Sequence, residues 1–150
     1  MSNAKRIRGL LLALAIVVSM SPMVALAGQP LGTIFIVSDE AYSQKDPAVA
    51  HNSKWNEYLV VFSRDLPGND DIRAERIDRA GRRVGGRWVS AGPGADRSYP
   101  QVVYNPDRNE YLVVWLEVDA SNTHRLKAQR LAADARPIGK IETVDTGTAG

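Results

Sequence analysis

Three groups of side chains in this 150-residue chain could do chemistry. The first is the loop from Asp65 to Asp71, where Asp65, Asn69, Asp70 and Asp71 gather carboxylate and amide oxygens. Calcium takes six or more such donors. The spacing is not that of an EF-hand, however, and Pro67-Gly68 also reads as an ordinary turn. The second group is Glu57 and Glu110, which could be the two carboxylates of a glycosidase. Such a pair works at about 5–10 Å and in unlike environments. The third is Trp55 and Trp88, whose faces could stack on a sugar ring. His51 and His124 are the only histidines and there is no cysteine, so no zinc-binding spacing exists. The Gly-x-Ser-x-Gly elbow, the His-Glu-x-x-His pair and the phosphate-binding Gly-rich loop are all missing. No catalytic residue and no cofactor is assigned, and calcium is the one metal candidate.

The elements that position these residues come in repeated form. Asn-Glu-Tyr-Leu-Val-Val stands at 56–61 and again at 109–114, a spacing of 53. The match runs on without a gap from 46–62 onto 99–115, where Pro47 meets Pro100, Asn52 meets Asn105 and Phe62 meets Trp115. It resumes from 72–78 onto 126–132 after a one-residue insertion. A third, partial copy at 30–38 matches 83–91 and 137–145, so the period is 53–54. Self-similarity at such a period marks a repeat architecture.

Repetition also acts as a control on the chemistry. Glu57/Glu110 and Arg76/Arg130 occur in both copies, which suits a recurring Glu–Arg pair that builds the unit. Equivalent glutamates would share one environment, against the glycosidase reading. The loop 65–71 faces 118–124, which loses most of the carboxylates. Trp55 faces Arg108, and Trp88 faces Ile141 or Glu142. Trp88 also aligns with Phe35 in the preceding copy, which suits packing, so Trp55 is the better ligand candidate.

Within a period the pattern predicts four short strands: 100–104, 110–115, 125–131, and a fourth at 86–90 or 140–144. The uninterrupted apolar run Tyr-Leu-Val-Val-Trp predicts a strand buried on both faces, with Tyr58, Phe62, Tyr111 and Trp115 in the core. The alternately charged strand Ile72–Ile77 suits a wetter outer position. Asp78-Arg79-Ala80-Gly81 is a hairpin with Gly where positive φ is needed; Ala132–Ala135 lacks it. No helical periodicity follows residue 28. The predicted fold is all-β, built of antiparallel four-stranded units.

The pattern P-x-V-x-Y/H-N-x-x-x-N-E-Y-L-V-V-W/F, followed by I/L-x-A-x-R-I/L, resembles the blade repeats of secreted bacterial β-propeller proteins. The resemblance covers nearly all of 30–145 and implies about two blades in 28–150, whereas propellers have about 4–8. It implies a large, often surface-associated parent protein, and it names no activity. The chain is then expected to be the N-terminal part of a larger propeller. The alternative is self-association through blade faces, as in small two-blade sugar-binding lectins that complete a propeller as oligomers. A third reading is a propeller hydrolase with catalytic residues beyond Gly150.

Residues 1–27 carry the marks of a secretory signal peptide: Lys5, Arg6 and Arg8, the apolar run 10–18, and Ala25-Leu26-Ala27 before the cut. The predicted address is secreted, periplasmic or cell-surface, with no membrane span after cleavage. Of 19 basic side chains three leave with the signal, so 16 then face 17 acidic ones. The basic balance therefore belongs to the export signal and gives no support to a nucleic-acid partner. The expected role is an exported, non-enzymatic module that binds an extracellular protein or glycan, or serves as scaffold.

Overall fold

The computed structural model describes residues 34–39 and 41–145, all within the compact unit Ile34–Gly150. The predicted signal peptide and residues 30–33 of the partial copy lie outside the described residues. Eight strands follow one another: β1 (Gln44–Asn52), β2 (Glu57–Leu66), β3 (Asn69–Asp78), β4 (Arg83–Ser90), β5 (Ala95–Asn105), β6 (Glu110–Asp119), β7 (His124–Ala132) and β8 (Pro137–Asp145). They form two four-stranded antiparallel meanders, β1-β2-β3-β4 and β5-β6-β7-β8. The fold is all-β, compatible with two blade-like repeats, and it does not close into a ring. Among the described residues no helix is long and apolar enough to cross a membrane.

The repeated asparagines set the first turn of each sheet. Asn52 Oδ1 accepts the backbone N–H groups of Lys54 and Trp55, both at 3.0 Å. Asn105 Oδ1 does the same for Asp107 and Arg108, at 3.0 and 3.3 Å. Asn56 and Asn109 then take φ of 53° and 55°, a left-handed conformation that asparagine tolerates. The turn between third and fourth strands also survives in both copies. Gly81 has φ 80°, and Ala135 adopts φ 67° in its place. The missing glycine therefore costs strain without changing the turn, because the Ala135 methyl is buried in the core.

β5 begins at Ala95, five residues before the predicted start. The reason is a bulge: the register slips between Ser98 and Gln101, with Tyr99 at φ 54° just before Pro100. β1 slips in the same place, between Lys45 and Ala48, with Asp46 at φ 51° before Pro47. A bulge lets a proline sit inside a strand that pairs on both sides of it.

The two sheets pack through a head-to-tail junction in which β5 runs beside β1, β2 and β3. Leu59, Val61, Ile72, Ala74 and Val89 of the first sheet meet Tyr111, Val113, Trp115, Leu131 and Ala135 of the second. Each large side chain buried there contributes about 1.5–3 kcal/mol. The junction uses opposite faces of the same repeat: Leu59 and Val61 on one side, Tyr111 and Val113 on the other. Double burial of the second strand is thus realised only in part. Tyr58 is 41 % exposed, and so is Leu112, because each lies on an outward face. The expectation of a wet third strand fails too: Ile72, Ala74 and Glu75 are fully buried. Its charges are sequestered by partners, Arg76 on Glu57 at 2.6 Å and Arg73 on Glu75 at 3.0 Å. Arg130 and Glu110 repeat the first of these pairs at 2.6 Å, so the recurring Glu–Arg pair exists.

Candidate functional site

The β2–β3 hairpin brings Asp65 and Asp70 directly opposite each other. Two carboxylates so placed repel unless a cation joins them, and Lys45 does so at 2.9 and 3.6 Å. The hydrogen bond to Asp65 holds the Lys45 ammonium above its usual range. Burial pushes the Asp70 carboxyl up, opposed by Lys45 and reinforced by Asp65 and Asp96. Asp71 belongs to a different set. Its Oδ1 accepts from Asn69 Nδ2 at 2.7 Å, from Gly92 N–H at 3.2 Å and from Arg97 Nη1 at 2.9 Å. The four calcium candidates are therefore divided between a lysine and an arginine. Among the described residues no group of three or more His, Asp or Glu is arranged to hold a metal ion.

The two tryptophans are also placed apart. Trp55 sits in the β1–β2 turn, 45 % exposed, with the Arg76 guanidinium 5.2 Å from its ring. Since Arg76 is itself held by Glu57, the ring is supported from beneath by a charged pair. Trp88 lies in β4 opposite Arg73, whose guanidinium is 4.9 Å from the ring; that of Arg64 is at 5.4 Å. Cation–π contacts of this kind are worth roughly 0.5–1 kcal/mol where exposed. Trp88 is 36 % exposed, so both rings keep part of a face open, each with a guanidinium against it. Of the histidines, His51 serves the first turn: its Nε2 lies 3.0 Å from Asn56 Oδ1 and its ring packs obliquely on Tyr58.

Two features escaped residue-by-residue reading. The first is a buried polar latch between the sheets. Arg97 reaches Asp71 across the junction, donates to the Gly92 and Ala95 carbonyls at 2.9 and 3.1 Å, and meets Glu117 at 3.2 Å. With so many acceptors, a guanidinium and two carboxylates can leave water at tolerable cost. Asn52 adds a second bridge, donating to Asn109 Oδ1 at 3.1 Å. The repeat held a signal for the latch, because Asp71 and Arg97 stand where the other copy has Arg125 and Gln44.

The second feature is the outward face of the second sheet. Leu112 and Val114 pair there with Arg130 and Ala128, beside Val103 and Leu126. Val103 is 60 % and Leu126 39 % exposed. Shallow apolar hollows mark this face, one bounded by Val102, Val103, Leu112 and Val114. On the first sheet the outward face carries a groove of about 370 Å³, lined by Val49, Tyr58, Val60 and Ile77 and partly roofed by Phe35 and Val37. No family model and no curated protein matches the chain.

Proposed function

We propose that this chain is an exported, non-enzymatic repeat module whose two sheets are blades of a larger β-propeller. In this reading it holds its turns out to an extracellular protein or glycan, or acts as scaffold. One observation carries the reading: the open face of the second sheet is made of the residues that the first sheet buries completely. Leu112, Val114 and Leu126, all at least partly exposed, hold the register positions of the fully buried Leu59, Val61 and Ile72, while Ala128, at the position of Ala74, stays buried. A repeat face that is dry at one junction and wet at the next calls for another sheet, since stacked repeats gain stability from neighbours.

Dye binding and turnover test the reading together. The purified chain should bind an apolar dye such as anilinonaphthalene sulfonate, and Leu112→Arg should remove much of that signal. It should also turn over no glycan or peptide; specific turnover by the chain would sink the non-enzymatic part. Export is tested separately by sequencing the N-terminus of protein recovered from the cell envelope or medium, which should begin at Gly28.

A second reading, sugar binding, draws on the half-exposed ring of Trp55 stacked on Arg76. It predicts retention on a sugar column that Trp55→Ala abolishes and Trp88→Ala does not. No retention on any sugar would count against it.

A further inference from the structure

The face that the second sheet turns toward the first occurs a second time in the molecule, and there a short segment covers it. At the inner junction that face includes Val102, Tyr111, Val113, Trp115 and Leu131. The register places Val49, Tyr58, Val60, Phe62 and Ile77 at the same positions on the outward, front face of the first sheet. The valines and the tyrosine are identical, and Phe62 for Trp115 and Ile77 for Leu131 keep the apolar character. The polar bridge recurs as well. Asn109 Oδ1 accepts from Asn52 of the neighbouring sheet at 3.1 Å and from the Tyr104 hydroxyl at 2.8 Å. At the front, Asn56 holds the place of Asn109 and His51 that of Tyr104, with Asn56 Oδ1 and His51 Nε2 3.0 Å apart.

Residues 34–39 lie over this front face. Phe35 and Val37 border one hollow with Val49, Tyr58, Val60 and Ile77, and Val37 and Ser38 border another with Pro47, Val60 and Phe62. The Phe35 ring stands so close to Gly81 that a Cβ there would come within 2.8 Å of it. Arg83 ties the other end, reaching Asp39 at 3.3 Å and the buried Glu75 at 3.5 Å. With the segment in place Phe62 and Ile77 are buried. The hold is nevertheless slight. The segment forms no strand, Ile34 and Ile36 are 97 % and 74 % exposed, and the Phe35 ring is itself half exposed. The Asp39–Arg83 pair is of the exposed kind that adds little.

We infer that residues 34–39 are a displaceable strap over a docking face, and that the occupant they keep out is a second copy of this chain. The inference rests on the reading of the sheets as stacked blades. The inner junction defines what such a front face accepts: Leu59, Val61, Ile72 and Ala74. The rear face of the second sheet carries Leu112, Val114, Leu126 and Ala128 at those positions, so each copy holds both halves of the contact. Asn105 there stands where Asn52 does, ready for the Asn56 of the next copy. The contact is head-to-tail, so two copies do not close it and longer series follow. The strap and an incoming sheet need the same surface of Tyr58 and Val60, and only one can have it. The Asp71–Arg97 ion pair is not repeated, because Gln44 stands where the second sheet has Arg97. A contact between copies is therefore weaker than the inner junction, and a strap within the same chain, at high effective concentration, can exclude it.

Light scattering after size exclusion, over a range of concentrations, reads the contact. The purified chain should keep the mass of one chain throughout. Phe35→Asp with Val37→Asp lifts the strap, and the mass should then at least double and climb with concentration. Leu112→Arg added to the lifted chain should return it to one chain's mass. That triple variant, with its front open and its rear blocked, should form a one-to-one complex with the unaltered chain and nothing larger. Urea unfolding shows whether each variant folds. If the lifted chain does not, Asp39→Lys sets like charge against Arg83, leaves every apolar side chain in place, and must give the same Leu112-dependent rise. A folded, lifted chain that stays at one chain's mass overturns the inference; dye binding still lost in Leu112→Arg would then leave the stacked blades standing. If Leu112→Arg leaves dye binding unchanged too, the stacking reading fails with it. Association of the lifted chain that persists with Leu112→Arg would mean that fronts meet fronts. Leu112-dependent association of the unaltered chain would mean that the strap keeps nothing out. Either result also overturns the inference.

Discussion

Leu59 and Leu112 are the same letter of the same hexamer, and the molecule treats them differently. Leu59 is wholly buried between the sheets, whereas Leu112 is 41 % exposed on an outer face. Their backbones pair alike, Leu59 opposite Arg76 and Leu112 opposite Arg130, and each arginine holds its own glutamate. The strand is therefore a local property, but burial is not. What differs is the neighbour: the second sheet covers the first, and nothing among the described residues covers the second in the same way. A face's worth in a repeat protein depends on its position in the stack, since stability divides into terms for each unit and each interface.

The sharpest way to break the comparison is to truncate both leucines. Leu59→Ala should cost about 3–5 kcal/mol, through lost transfer energy and the cavity it leaves. Leu112→Ala should cost less than about 1.5 kcal/mol, since part of its surface is already wet. Denaturant midpoints at unchanged slope would measure both, and equal losses would mean that the outer face is buried in solution.

The polar latch gives the next largest contrast. Arg97→Ala leaves Asp71 buried with only the Asn69 amide and the Gly92 N–H, so a loss of about 3 kcal/mol is expected. Arg125→Ala, at the register position equivalent to Asp71 but in a partly exposed pair with Asp119, should change stability by less than about 1 kcal/mol. A double-mutant cycle between Asp71 and Arg97 would show whether the loss belongs to their contact.

The paired turns come third. An alanine at position 81 would combine φ 80° with a Cβ 2.8 Å from the Phe35 ring, so Gly81→Ala should cost about 1–2 kcal/mol. Ala135→Gly relieves the same backbone strain but removes a buried methyl, and the two effects should nearly cancel, leaving a change within about 0.5 kcal/mol. Thermal melts of both variants decide it. A large loss in Ala135→Gly would show that the methyl's packing outweighs the strain.

The smallest effect is one of pH, at the far hairpins. The Ser121 hydroxyl, Arg125 and the Thr123 and Ser121 N–H groups hold the Asp119 carboxyl well below the usual carboxylate range. A depressed folded pKa adds stability that is complete above the unfolded value, near 3.8, and is lost as pH falls through the folded one. Asp119→Asn should therefore lower the melting temperature at pH 7 and flatten its fall below pH 4. Asp70 has the opposite sign. Burial raises its pKa, so folding favours the protonated form, and that contribution is lost as pH rises through the raised value. Asp70→Asn should then raise the melting temperature slightly at pH 7. Melting curves from pH 2 to 7 would reveal either slope, and parallel curves for the two variants would contradict both assignments.

Much of the fold was legible in particular residues. Asn52 and Asn105 were legible as a recurring pair, and each caps its turn through bonds to backbone N–H groups two and three residues on. Glu57 with Arg76 and Glu110 with Arg130 were legible because both members recur together. β5 was misjudged at its start because Pro100 resembles a strand boundary, and a bulge is invisible until the partner strand is known. The candidate sites were less legible. The oxygens of Asp65, Asn69, Asp70 and Asp71 crowd in sequence, yet Lys45 and Arg97 arrive from other strands and divide them. Trp55 and Trp88 differed in the repeat alignment, yet both end up partly exposed with an arginine from another strand against the ring.

The amino-acid order was enough for the all-β class, the strand number per repeat and the turns, because alternation, β-branched runs and asparagine capping act over a few residues. It was not enough for which side of each strand is dry, which carboxylate meets which guanidinium, or where the apolar surface is left open. Those depend on contacts between residues 26 to 57 positions apart, such as Asp71 with Arg97 and Asn52 with Asn109. Such contacts form only when one sheet stacks on the next.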